Sequence, residues 1–213
     1  DFATDTDTQM IIDTFVVSSH GTLTIGTEDN PVRGNVQTKI LIADNGAINK
    51  KWDPQQLSRG IVSHGTVEIH GQAKTSHLRV AVDPSAGDKT LTLGEVPVNW
   101  QVCDRIILTG TQYVANGTQD EERTITSING KRITLNKSLS YNHDTPRNDL
   151  KAYVANQSRN VVVATENADK LPSNQRGHVM FMHSDNVDVR YAEFNELGRT
   201  DKSKLLDDFK TTS

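Results

Sequence analysis

The chain has 213 residues, with 23 Lys and Arg against 27 Asp and Glu, a net charge of −4 and one cysteine, Cys103. Basic residues spread along an acidic chain exclude the stripe or patch that a nucleic acid would need, no apolar run is long enough to span a bilayer as a helix, and a single thiol excludes an internal disulfide. Hydrophobic content of 34% and aromatic content of 5% are low for a thick core, yet Val, Ile and Leu recur too regularly for a disordered chain.

The first residues, "DFATDTDTQMIIDTFVV", resemble the interior of a domain, so sequence upstream, including any signal peptide, is expected. "SHGTLTI" (19–25) alternates Leu23 and Ile25 with Thr22 and Thr24, the period of a strand. "TEDN" (27–30) is an acidic turn that could take Ca²⁺ but lacks the spacing of a calcium loop. A Gly turn at Asn45-Gly46 follows "KILIAD". Trp52 then stands in the polar stretch "NKKWDPQQ", where an indole could stack on a sugar ring. "DPQQLSRG" (53–60) predicts a turn of helix, with Asp53 as cap and Pro54 at its first position.

"SHGTVEI" (63–69) nearly repeats the earlier strand, with Val67 and Ile69 on one face and Thr66 and Glu68 on the other. Glycine-centred units of roughly 20–25 residues point to a solenoid; a sandwich of hairpins is the alternative. Further strands are predicted at 78–82, 89–93 and 104–110. Trp100 fits a core plug. "ERTITSINGKRITLN" (122–136) predicts a hairpin turning at Asn129-Gly130. "DEERT" (120–124) is a second acidic turn with the same weak calcium possibility. Three sequons, at Asn116, Asn136 and Asn156, are attributed to a chain rich in Asn and Thr. Short strands at "NVVVATE", "HVMFMH" and "VDVRYAEF" follow. The fold class expected is all-β: a β-solenoid or right-handed parallel β-helix-like chain with short turns and little helix. Residues 1–150 are expected to form one β-rich module and 151–213 the first rungs of a β-helix, continued by the remainder of its own polypeptide.

Taken together, "GTLTIGTEDNPV", "SRGIVSHGTVEIHGQAKTSHLRVAV", "LTLGEVPVNWQVCDRIIL" and "RTITSINGKRITLN" resemble the G-eight domain, a module of paired β-strands named for eight glycines. It occurs in fibrocystin-like receptors, in cell-migration-inducing and transmembrane hyaluronidases, and in bacterial surface proteins. The resemblance covers roughly residues 10–200, and the ordered set of motifs makes it specific. "RGHVMFMHSDNVDVRYAEFNELGRTDKS" is similar to the start of the parallel β-helix that follows this domain. Where the family often has glycine in "WQVGD", this chain has Cys103. The resemblance implies carbohydrate handling outside the cell: polysaccharide depolymerisation in some members, adhesion in others. It carries no catalytic residue over to this chain.

No H-E-x-x-H or C-x-x-C supports a zinc site, and no cofactor is indicated beyond the possible Ca²⁺. His64, His70 and His77 are too far apart along one strand to share a metal, and His20 and His64 fit equivalent scaffold positions. Chemistry is sought after residue 176. His178 or His183 could line a groove beside Arg176, Asp185 and Arg190, with His183 as a base and Arg190 gripping a sugar carboxylate. In "LGRTDKS" (197–203), Arg199 could bind a uronate, while Asp201 and Lys202 could exchange protons in hydrolysis or elimination. The function expected is that of a secreted or cell-surface, extracellular or periplasmic, bacterial polysaccharide hydrolase or lyase fragment. Its partner is a glycan, with no nucleic acid and no membrane insertion. The alternative is a non-enzymatic adhesion or carbohydrate-binding module.

Overall fold

The computed structural model describes residues 1–115, 117–145, 147, 149–184 and 186–199. The chain divides into two compact units. One combines residues 1–72 with residues from 159 onward, and the other is residues 73–158.

The first unit begins with three strands, β1 (Thr8–Ile12), β2 (Thr14–Val17) and β3 (Thr22–Ile25). The chain then makes a second pass as β4 (Thr38–Ile42), β5 (Gly60–Ser63) and β6 (Thr66–His70), each parallel to its counterpart. Alternation drives the stacking. Ile12, Leu23 and Ile25 of the first pass and Ile40, Ile42, Val67 and Ile69 of the second all bury in one apolar stripe. "GTLTI" and "GTVEI" lie directly on one another, Thr22 on Thr66 through Ile25 on Ile69. Gly65 is required there, because a Cβ would run into the carbonyl oxygens of Gly21 and Ser18.

The repeat is shorter than its letters suggest. Ser63 pairs with Val17, not with Ser19. Residues 18–21 make the corner of the first pass, but only 64–65 make that of the second. His20 and His64 therefore do not occupy equivalent positions, as the repeated letters had implied.

The chain leaves the first unit after Gln72. The second unit holds β7 (His77–Arg79), β8 (Thr90–Thr92), β9 (Arg105–Leu108), β10 (Glu121–Asn129), β11 (Arg132–Leu135) and β12 (Tyr153–Asn156). They form an antiparallel sheet in the order β7-β12-β9-β10-β11-β8, and the two end strands meet through a Val80–Leu93 bridge. Ala81 N donates to Thr92 O (2.7 Å) and Gly94 N to Arg79 O (2.8 Å). Closure removes the open edges that would otherwise template association. The core is aliphatic, with Leu91, Leu93, Ile106, Leu108, Ile125, Ile133, Leu135 and Val154 fully covered. The expected hairpin is β10–β11, turning at Gly130 (φ 57°). Trp100 plugs this core and donates its Nε1 proton to Thr75 O (2.6 Å).

The chain then resumes the interrupted stack. β13 (Val161–Thr165) lies parallel on β4, β14 (His178–Phe181) on β5, β15 (Val187–Arg190) on β6, and β16 (Ala192–Asn195) on β13. Three parallel sheets result, β1-β4-β13-β16, β2-β5-β14 and β3-β6-β15, each taking one strand from each of the first three passes, with β16 opening a fourth on the first sheet. Asn160 secures the join: its Oδ1 accepts from Gln72 N (2.8 Å), and its Nδ2 donates to the carbonyls of Val32, Arg33 and Val36.

The all-β expectation holds; the only helical element among the described residues is a 3-10 turn at Ser173–Gln175. The division expected at residue 150 differs from the observed one. Parallel stacking starts at Thr8, and the antiparallel sheet is inserted between the second and third passes. Alternation has the same period in parallel and antiparallel strands, so local pattern does not separate them.

Candidate functional site

The connection from β4 to β5, residues 43–59, contains no helix or strand. Structureless loops longer than about 12–15 residues are uncommon in compact domains and are usually functional. This one is pinned from both ends. Asp53 Oδ1 accepts from Leu57 N (3.0 Å), and its Oδ2 accepts from Ser58 N (2.8 Å) and Ser58 Oγ (2.5 Å). Burial pushes the Asp53 pKa up, but these hydrogen bonds outweigh it and hold the carboxyl below its ordinary value. Asp53 thus accepts from the amides that follow it, but it caps a loop turn and not a helix. The predicted helix is absent, because Gln56 turns left-handed at φ 55°.

Two arginines hold the backbone. Arg59 donates through Nη1 to Gly46 O and through Nη2 to Asn45 O (2.9 Å) and Ala47 O (3.4 Å). Its Nε lies 3.8 Å from Asp13 Oδ1, which also accepts from Asn45 Nδ2 (2.7 Å). Arg199 donates through Nε to Arg176 O (2.7 Å), through Nη1 to Gln56 O (2.7 Å), and through Nη2 to Ser58 O (2.5 Å) and Arg59 O (2.8 Å). Burial lowers the Arg199 pKa from its ordinary value, with Asp53 acting the other way. At the loop's outer turn Trp52 N donates to Asn49 O (3.0 Å), and the indole is 78% exposed. Lys50 and Lys51, both exposed, precede it.

The structure thus joins two of the expected sugar-contacting residues, Trp52 and Arg199, in different roles. Arg199 commits four of its five N–H donors to backbone carbonyls and positions the loop. Trp52 is what the loop displays. Arg59 was not anticipated, because its partners are carbonyls that leave no side-chain signature.

The other expected residues lie elsewhere. Arg190, on β15, donates through Nε to Asp188 Oδ1 (2.9 Å) and through Nη1 to Glu28 Oε1 (2.8 Å). Arg190 is thereby engaged by two carboxylates. His183 is exposed at φ 52°, with its ring stacked on His64 at 6.5 Å between centroids. Arg176 pairs with Glu196 (2.6 Å). His178 is half-buried over Gly60, and burial is the main cause that lowers its pKa. Asp201, Lys202 and Asp185 lie outside the described residues.

Neither acidic turn presents a calcium loop. Glu28 of the first is on Arg190. Glu121 of the second is buried in its own unit, accepting from His143 Nε2 (3.0 Å) and from the amides of Ser140 and Tyr141. Among the described residues no three His, Cys, Asp or Glu side chains are grouped to hold a metal ion.

This stacked β unit with its displayed loop can now be set beside known proteins. Residues 1–81 match the G8 domain family, a span that takes in the first two passes and the exit from them. Fibrocystin of Mus musculus is 29% identical over 159 residues, 70% of this chain and 4% of that protein. Fibrocystin-L of Mus musculus is 29% identical over 174 residues, 74% of this chain and 4% of that protein. A G8 domain-containing protein of Dictyostelium discoideum is 26% identical over 227 residues, 97% of this chain and 16% of that protein. The chain therefore spans a small part of each relative's length. These relatives are eukaryotic and give no support to the bacterial origin expected from the sequence. Among solved structures, the Gp54 tailspike of Acinetobacter baumannii bacteriophage AP22, in complex with A. baumannii capsular saccharide, is 11% identical with a TM-score of 0.35. That match covers 92% of this chain and 28% of the tailspike. A likeness at that level carries no further argument.

Proposed function

We propose that the first unit is a glycan-binding unit of an extracellular or cell-surface protein, and that the 43–59 loop is its binding element. Trp52 stacks on a sugar face, while Lys50 and Lys51 meet the carboxylate of an acidic polysaccharide. One observation carries this reading: a 78% exposed indole stands on a loop whose backbone is pinned by two arginines. An indole offers a large, rigid apolar face beside a polar edge. Displaying it on a backbone already ordered lowers the entropy lost on binding. The resemblance to a family that handles extracellular carbohydrate supports the same reading.

Calorimetry with hyaluronan and oligogalacturonate oligomers tests it. Truncating an aromatic anchor typically costs 2 kcal/mol or more, so Trp52→Ala weakens binding by about 30-fold. Binding by the wild type that Trp52→Ala leaves unchanged removes the loop from the function.

The finer form of the reading has the longer protein cleave the chain it binds, with Asp201 and Lys202 exchanging protons and His183 as a further base. New reducing ends from hyaluronan incubated with full-length protein support it. Unchanged turnover in Asp201→Ala and Lys202→Ala removes those two residues, and binding without cleavage favours an adhesion module.

A further inference from the structure

The second unit holds the sequons at Asn136 and Asn156, and the fold treats them in opposite ways; Asn116 lies outside the described residues. In Asn156-Gln157-Ser158, Asn156 ends β12 and is 3% exposed. Its Nδ2 donates to Asp104 Oδ2 (2.7 Å), a carboxylate also held by Lys74 Nζ (2.8 Å), and its Oδ1 accepts from Ser158 N (3.0 Å). The Ser158 hydroxyl oxygen accepts from Arg105 N (2.8 Å). A substituent on Asn156 Nδ2 would displace this buried network.

In Asn136-Lys137-Ser138 all three residues are exposed. The stretch directly follows β11, and Asn136 is clamped to β10 twice. Asn136 N donates to Thr124 O (2.9 Å), and Thr124 N donates to Asn136 Oδ1 (3.0 Å). Because the Thr124 group is an N–H, the side-chain atom that meets it is the amide oxygen. Nδ2 therefore lies on the other side of the amide carbon, and among the described residues it donates to none. Attaching a sugar replaces one Nδ2 hydrogen and leaves the oxygen an acceptor, so both bonds to Thr124 survive. The middle residue, Lys137, is not the proline that would disable the motif.

We propose that Asn136 is an N-glycosylation site. The donor is an oligosaccharide joined through a diphosphate to a lipid. Nδ2 attacks the anomeric carbon, the N–C bond forms, and the C–O bond to the diphosphate breaks. The lipid diphosphate leaves with that electron pair, and Nδ2 gives up one proton. Transfer takes place on the nascent chain, and the fold then selects. A sugar on Asn136 projects into water beyond the end of β11, as a bulky, solubilising group on the surface; one on Asn156 is incompatible with the closed sheet. The inference rests on the extracellular placement proposed above, because the donor is met on the secretory route, and not on the Trp52 loop.

Secretion of the full chain from a eukaryotic cell line, behind a cleavable leader, tests it. Protein from the medium and from microsomes is treated with peptide N-glycosidase F in heavy-oxygen water and mapped by mass spectrometry. Asn136 is expected to convert to labelled aspartate in both fractions, and Asn156 to stay unmodified in the secreted protein. Asn136→Gln and Ser138→Ala each abolish the label at this site. Ser138→Ala removes only the hydroxyl, since Ser138 meets Arg123 through its carbonyl, so its unfolding midpoint stays that of the enzymatically deglycosylated wild type. The proposal fails if Asn136 is unmodified in both fractions, or if folded, secreted protein carries its sugar on Asn156. Because the leader is supplied, the result reads the site itself, whereas calorimetry on Trp52→Ala reads the loop.

Discussion

Arg199 donates an Nη2 proton to the backbone carbonyl of Arg59 at 2.8 Å, joining residues 140 positions apart. Arg59 in turn reaches back to Gly46 and Asn45. The two guanidiniums form a relay that fixes one long loop by its carbonyls.

Removing the relay loosens the loop. Arg199→Ala leaves the carbonyls of Arg176, Gln56, Ser58 and Arg59 without this donor and costs about 2 kcal/mol. Hydrogen exchange at 44–58 accelerates while β4 and β5 stay protected. Arg199→Lys restores little, since one ammonium does not reproduce the planar fork. Unaltered exchange in Arg199→Ala would show that Arg59 suffices.

The stacked passes leave no room at Gly65. Gly65→Ala drives a methyl into the carbonyls of Gly21 and Ser18, and overpacking of this kind costs roughly 1–3 kcal/mol. Gly46→Ala is the control. Unlike Gly65 it has a positive φ, 75°, but open space around it, so it pays only the left-handed penalty, about 1 kcal/mol. Chemical denaturation ranks the two, and a smaller loss at Gly65 contradicts the observed approach.

Cys103 stands where the resembled family often has glycine, and its φ is 75°. The side chain is exposed and holds no disulfide. Cys103→Gly relieves the strain and raises stability by roughly 0.5–1 kcal/mol, net of the freer unfolded chain. An unchanged or lowered midpoint counts against strain at this turn.

The inserted sheet carries its own acid sensitivity. Burial raises the Glu121 pKa, but His143, Ser140, Tyr141 and Arg123 outweigh it, and the folded value lies below the ordinary 4.5. A depressed carboxyl contributes stability that is full above its unfolded pKa and is lost as pH falls through the folded one. The contribution of Glu121 to the second unit is therefore steady above about pH 5 and declines below about 4.5. Glu121→Gln removes this group's share of the acid slope while lowering stability at pH 7. A slope identical to wild type would assign acid unfolding elsewhere.

Much of the strand content was legible, because Leu23, Ile25, Val67 and Ile69 alternate with polar neighbours and the Asn129-Gly130 turn is a strong local signal. Partnership was not. Val161 pairs with Thr38 across the inserted unit, and nothing within either strand specifies that. Trp52 stands out in the sequence only as an aromatic among polar residues, and its exposure on the loop is a structural finding. The role of Arg199 was hidden because its partners are backbone carbonyls, which every residue possesses. Glu68, His70 and Asp188 meet only through strand register.

Tryptophan emission tests the central claim most directly. Trp100 is buried and hydrogen-bonded, so changes on adding oligosaccharide come from Trp52. Titration with hyaluronan or galacturonate hexamers is expected to shift the emission to the blue with saturation. It should also protect the indole from iodide and vanish in Trp52→Ala. Emission that stays flat and fully quenchable throughout contradicts a sugar-binding role for the loop.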